Sequence, residues 1–197
     1  MANEALEQTK NALRKRMKEA RSSLPQARHE ALSRLAAERL LDSKLWHNAD
    51  CVALYIAVRG ETGTAPLLEA AWAQGKEVLL PLCDPAKNGL MRLTACPSQE
   101  HLVPGAYGIP EPKRHMTGSE SVPQLILTPG VAFDRKGIRL GVGGGYYDRL
   151  FAMPEYASAT RVGYCFGFQV VPDLPEAAWD IPVHTLCTDE EFTEIRR

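Results

Sequence analysis

Residues 139–149 read Arg-Leu-Gly-Val-Gly-Gly-Gly-Tyr-Tyr-Asp-Arg, with glycine at four of the five positions from 141 to 145. A β-rich run at 125–127 feeds this stretch. A helical run leaves it, with Tyr147, Leu150 and Phe151 at i, i+3 and i+4 on one face. Glycine accepts left-handed backbone and lets amides approach a ligand closely. A glycine loop that opens a helix aims free N–H groups at an anion. Arg139 and Arg149 flank the loop with forks suited to phosphate. Asp148, in the first helical turn, is placed to hold a divalent cation against that anion. The local chemistry is that of a nucleotide phosphate site with a metal.

The loop matches neither common phosphate fingerprint. G-x-G-x-x-G read from Gly141 needs glycine where Tyr146 stands, and Gly75-Lys76 is followed by Glu77 rather than the Ser or Thr of a Walker A loop. Glycines alone also fit a plain tight turn. The arginines, tandem tyrosines and aspartate at fixed offsets favour the phosphate site.

The rest of the chain limits what that site can belong to. At 197 residues, 45% hydrophobic and 24% charged, it has the make-up of one globular domain. A net charge of -1 gives no general attraction to nucleic acid or to an anionic membrane. No apolar run is long enough to span a membrane, and the first residues lack a signal core, so a cytoplasmic protein is expected. Cys51, Cys83, Cys96, Cys165 and Cys187 are odd in number and form no C-x-x-C pair, which fits reduced core thiols.

Residues 4–22 form an amphipathic helix, with Leu6, Leu13, Met17 and Ala20 as its apolar stripe and basic side chains on its other faces. Lys10 and Arg14 stand one above the other and can grip a polyphosphate; a solvated basic face is the alternative. A second helix spans 25–41. Residues 51–58 read as a central strand, followed by a helix at 66–74 with Thr64 as candidate cap and by a strand at 77–83. So short a unit implies a parallel crossover, with ligands gathered at the carboxyl ends of the strands, where Glu61 lies. Short strands follow at 90–94 and 160–166. Residues 104–112, rich in Pro and Gly, read as an extended loop that could line a flat ligand with Tyr107 and Ile109, or simply cover the surface. His101 and His115 lack metal partners at usable spacing, and Asp180 could merely cap a turn.

The segment 139–149, with Thr128-Pro129-Gly130-Val131-Ala132-Phe133-Asp134 before it, resembles the signature of the 5-formyltetrahydrofolate cyclo-ligase family, and the likeness runs from Lys10 to about Pro182. The resemblance implies an α/β fold of three layers with a mostly parallel sheet and an N-terminal helical segment, in the architecture of sugar-phosphate isomerases and coenzyme A transferases. It implies one domain over 1–197 and ATP-dependent closure of 5-formyltetrahydrofolate to 5,10-methenyltetrahydrofolate through a phosphorylated formyl group. ATP is then co-substrate and Mg²⁺ cofactor. The protein would act as a cytoplasmic monomer on folate with or without a polyglutamate tail, without membrane or nucleic acid.

By the same resemblance, Lys10, Asn11, Ala12, Leu13 and Arg14 contact ATP, together with Arg139, Leu140, Gly141, Val142, Gly143, Gly144, Gly145, Tyr146 and Tyr147. Ile56, Glu61 and the loop from Val142 to Tyr146 contact the folate. Arg139 and Tyr146 serve catalysis, and Asp148 and Asp180 hold the metal. The Gly-Glu-x-x-Thr phrase is kept at 60–64, although Gly63 stands where an acidic residue is common. Two other readings fit the residues less fully. One is an ATP-independent sugar-phosphate isomerase or transferase on the same fold. The other is a non-catalytic nucleotide- or RNA-binding regulator that uses the basic helix.

Overall fold

The computed structural model describes residues 2–83, 90–105, 108–113 and 121–195; Tyr107 and His115 lie outside them. Five helices are formed: α1 (Ala2–Ser22), α2 (Gln26–Leu41), α3 (Lys44–His47), α4 (Ala65–Ala73) and α5 (Tyr146–Phe151). The strands are β1 (Cys51–Ala53), β2 (Glu77–Cys83), β3 (Met91–Ala95), β4 (Leu102–Pro104), β5 (Pro110–Pro112), β6 (Leu125–Pro129), β7 (Ala132–Asp134), β8 (Arg139–Leu140), β9 (Thr160–Tyr164), β10 (Val170–Val171), β11 (Thr185–Cys187) and β12 (Phe192–Glu194). Seven strands make the main sheet in the order β12-β11-β9-β6-β1-β2-β3. Its five inner strands are parallel, while β3 and β12 run antiparallel at the edges.

Side-chain alternation explains why both faces of this sheet are covered. Val52, Val78, Leu80, Leu125 and Leu127 pack with Ala36 and Leu40 of α2 and Leu67 of α4. Their neighbours Cys51, Ala53, Leu79 and Ile126 pack with Leu150 and Phe151 of α5. Strands buried on both sides read as continuous apolar runs, as 125–127 and 77–83 do. The expected mostly parallel α/β sheet with helices on both faces is therefore found.

A second sheet, β10-β7-β8, carries the glycine loop on its β8 end. Helix α1 packs on it through Met17, with Leu13 beside Val131, Ile138 and Leu140. No described helix is long and apolar enough to cross a membrane.

Three expectations need correction. The strand predicted over 51–58 pairs only at Cys51–Ala53. Beyond it, side chains take over backbone groups that a ladder would use: Thr64 Oγ1 donates to the Tyr55 carbonyl (2.6 Å) and accepts from the Ala57 amide (3.2 Å), while Glu61 Oε2 accepts from the Val58 amide (3.1 Å). The chain is thereby turned off the sheet. Thr64 consequently makes no side-chain cap on α4, because its hydroxyl is committed to that loop. Finally, the segment read as an extended loop over 104–112 contributes a ladder, β4 against β5, with Val103 opposite Glu111.

Candidate active site

A cavity of about 1030 Å³ opens at the carboxyl ends of β1, β2 and β6, where a parallel sheet is expected to bind its ligand. Of the segments that border it, four distant in sequence carry the expected site residues.

The first is α1. Lys10 and Arg21 are each only 7% exposed, and Arg14 is half-buried. Lys10, Arg14, Met17 and Arg21 follow one another at steps of four, three and four, which places them along one line of the helix. The face turned inward is thus mixed, apolar at Leu13 and Met17 and cationic between them. Lys15, Arg16 and Lys18 stay in solvent. Of the five α1 residues expected at ATP, Lys10 and Arg14 border the cavity; Asn11, Ala12 and Leu13 do not. Asn11 instead accepts a bond from Arg14 Nη1 at 2.7 Å, and Leu13 packs on the small sheet.

The second segment is the turn after β1. Arg59 and Gly60 are both left-handed, with φ of 53° and 73°, and so swing Glu61 back beside Tyr55, Ile56 and Val58. Arg21 Nη2 donates to the Arg59 carbonyl at 3.2 Å. Burial raises the Glu61 carboxyl above the ordinary carboxylate range, opposed by the Val58 amide and then by Arg21 and Arg59.

The third segment runs from β8 through the loop into α5. Arg139 is buried and donates from Nη2 to Asp148 Oδ2 at 2.8 Å, with its guanidinium 5.5 Å from the Tyr147 ring centroid. Its Nε is buried and has no partner. A Cβ on Gly141 would stand 2.7 Å from Arg139 Nη1, so glycine there is what makes room for the fork. Gly145, at φ 64°, turns the chain into α5. Arg14 Nε donates to the Gly141 carbonyl at 3.0 Å, and Arg149 donates to the Gly144 carbonyl. At six residues, α5 is too short for a strong macrodipole, so the field at the loop comes mainly from side-chain cations.

The fourth segment is the turn at 177–180. Asp180 Oδ2 accepts from the Ala177 amide (2.8 Å) and from Lys10 Nζ (2.9 Å). Asp148 Oδ1 accepts from the amide of Ile181 (3.4 Å), and α5 has no side-chain cap, so Asp148 does not act as a helix cap.

The cavity thus gathers Lys10, Arg14, Ile56, Glu61, Arg139, Leu140, the loop from Gly141 to Gly145, Tyr146, Tyr147, Asp148 and Asp180. It also brings in Arg21, Arg59 and Trp179, which sequence reasoning left out. Arg21 had a readable signal, because it extends the 10–14–17 line.

Among the described residues, no group of three His, Cys, Asp or Glu could hold a metal ion. Mg²⁺ is commonly held by one or two carboxylates and completes its shell with water and phosphate. Asp148 and Asp180 suit an ion that arrives on a phosphate, and do not make a protein-only cage. Both are occupied by cations of the protein, Arg139 and Lys10.

The five cysteines form no disulfide and four are buried. Burial, with Glu77 second, pushes the Cys51 thiol up to about 12, and burial pushes Cys187 up to about 12 as well. Neither is a thiolate nucleophile at neutral pH.

Comparisons with known proteins converge. The family model for the 5-formyltetrahydrofolate cyclo-ligase family matches residues 6–189. The 5-formyltetrahydrofolate cyclo-ligase of Escherichia coli K12 is 33% identical over 180 residues, covering 90% of this chain and 99% of that protein. The Haemophilus influenzae cyclo-ligase is 32% identical over 179 residues, covering 89% and 95%. Among solved structures, the 5,10-methenyltetrahydrofolate synthetase of Aquifex aeolicus superposes with a TM-score of 0.80 at 34% identity, over 95% of this chain and 93% of that one. The Mycoplasma pneumoniae synthetase shares the fold at a TM-score of 0.69 and 22% identity, over 92% and 99%.

Proposed function

We propose, for a chain that belongs to the 5-formyltetrahydrofolate cyclo-ligase family, how the four segments divide that family's reaction. The protein is an ATP-dependent ligase of folate one-carbon metabolism that closes 5-formyltetrahydrofolate to 5,10-methenyltetrahydrofolate. The observation that carries the division of roles is Arg139: a buried guanidinium at the cavity whose Nε has no hydrogen-bond partner. A buried unpaired donor is costly unless a ligand meets it, and an arginine fork fits phosphate.

In this reading Lys10, Arg14, Arg139 and the loop amides hold the ATP phosphates, and Arg149 shapes the loop through the Gly144 carbonyl. Glu61, with Ile56 as apolar wall, holds the pterin. Tyr146, which follows the loop, meets the formyl end. The γ-phosphoryl passes to the formyl oxygen and leaves ADP. N10 then attacks the formyl carbon, and loss of phosphate gives the methenyl bridge. The protein's part is to position the reactants and stabilise developing charge. Bound Mg²⁺ would neutralise phosphate charge, with Asp148 and Asp180 as its protein ligands once their cations turn to the nucleotide.

Segments from residue 6 to residue 181 meet in one cavity, which supports a single domain over 1–197, and a monomer is proposed with it. Reduced, buried cysteines support a cytoplasmic setting. A parallel sheet with helices on both faces supports the likeness to sugar-phosphate isomerases and coenzyme A transferases. A polyglutamate tail on the folate is left as an allowed feature of the substrate.

The direct test is incubation with 5-formyltetrahydrofolate, ATP and Mg²⁺ while following methenyl absorbance. Product is expected only when nucleotide and divalent cation are both present, with one ADP per turnover. Product without nucleotide would sink the reading.

Glu61 gives a second test with a sign. Its folded pKa is raised, so its stabilising contribution is full below the unfolded value of about 4.3 and is lost as pH rises through the folded value. Ionisation, as pH rises through that folded value, therefore weakens the fold. Glu61→Gln should melt at or above the parent temperature at neutral pH, and the gap should close as pH falls toward about 4. Folate affinity should drop roughly tenfold with ATP affinity unchanged, because a paired charge at the pterin is lost. Thermal melts across pH and calorimetric titrations measure both. Equal weakening of folate and ATP would mean that the turn had collapsed.

A further inference from the structure

Trp179 is 67% exposed and borders the cavity. It differs from the other tryptophans: Trp46 is fully buried and bonded to Gln74, and Trp72 donates to the Cys96 carbonyl. An indole left in water is costly by its area, and here it is held there by design of the turn. Its turn is pinned by a reciprocal pair, the Asp180 amide to the Ala177 carbonyl (3.0 Å) and the Ala177 amide to Asp180 Oδ2 (2.8 Å). The same Oδ2 takes the buried Lys10 ammonium at 2.9 Å. The residue before Asp180 is therefore an exposed aromatic face on a pinned turn, beside the lysine assigned to phosphate. Val142, 66% exposed, presents a second apolar surface from the glycine loop to the same cavity.

We propose that Trp179 is the platform on which the adenine of ATP stacks, and so a specificity-determining residue for the nucleotide. The proposal rests on the assignment of the phosphates to Lys10, Arg14 and the loop. Phosphates gripped by Lys10 leave the base to lie next to the turn that Lys10 pins, and a purine needs a flat apolar partner rather than further cations. Glu61, assigned above to the folate, lies on a different segment, after β1.

The test uses the full chain, with ATP and inorganic tripolyphosphate as probes in calorimetry and ATP in steady-state kinetics. Trp179→Ala is expected to weaken ATP roughly tenfold while changing tripolyphosphate affinity less than about twofold, since stacking acts only on the base. KM for ATP should rise by the same factor, with KM for folate and kcat nearly constant. Trp179→Phe should restore most of the ATP affinity, and in the parent protein ATP, but not tripolyphosphate, should quench the exposed indole. Equal weakening of ATP and tripolyphosphate, or a rise confined to the KM for folate, overturns the platform. Arg14→Ala separates the two readings: it should weaken both probes. If it weakens neither while Trp179→Ala still acts on ATP alone, the phosphate assignment fails and the platform stands.

Discussion

Arg139→Ala is expected to lower turnover by roughly a thousandfold, the low end of what an arginine placed on a transferring phosphoryl group supplies. The side chain is 5% exposed, so no solvent cation can replace it. Removing it also leaves Asp148, whose side chain is 19% exposed, without its cation, and should cost on the order of 1–3 kcal/mol of stability. Arg139→Lys separates charge from shape. Lysine keeps one positive charge but has no planar fork to serve Asp148 and the phosphate together. It should fold with a melting temperature near that of the parent and still lose turnover by about a hundredfold. Single-turnover formation of methenyl product measures both variants. A lysine variant with near-parental turnover would show that charge alone suffices at this position.

The largest stability effect is expected at Asp134. It is fully buried and accepts three backbone amides, Lys136 (2.9 Å) and Ile138 (2.9 Å) at Oδ1 and Leu174 (3.1 Å) at Oδ2. Asp134→Ala strands all three donors at about 1–3 kcal/mol each before relaxation, so a net loss on the order of 4 kcal/mol is expected. In a chain of this size that corresponds to a melting temperature lower by roughly 10 °C. Asp134→Asn keeps an acceptor for the Lys136 and Ile138 amides but sets its NH₂ against the Leu174 amide, so about half the loss should remain. Urea unfolding at neutral pH measures the difference. A cost under about 1 kcal/mol for the alanine variant would mean that the β7–β8 turn has other support.

Residues 77–83 and 125–127 were legible as strands because strands buried on both faces leave uninterrupted apolar runs. Residues 54–58 look the same and are not a strand. What removes them from the sheet is Thr64 and Glu61, side chains up to nine positions away, and no local propensity encodes that competition. The glycine loop was legible because its arginines and aspartate sit within one short segment. Arg59 and Trp179 were not, since each reaches the cavity only after the turn behind β1 and the 177–180 turn have converged. The phosphate role proposed for Lys10 came from resemblance and its spacing to Arg14. Its pairing with Asp180 is a fact of tertiary structure alone.

That pairing joins residues 170 positions apart. On a ribosome, Lys10 is made 170 positions ahead of its partner. No nascent chain that stops before Asp180 can therefore hold the clamp between α1 and the 177–180 turn. The proposed phosphate grip waits for that turn, and a truncated product that keeps only the glycine loop would carry the recognisable motif without a finished site.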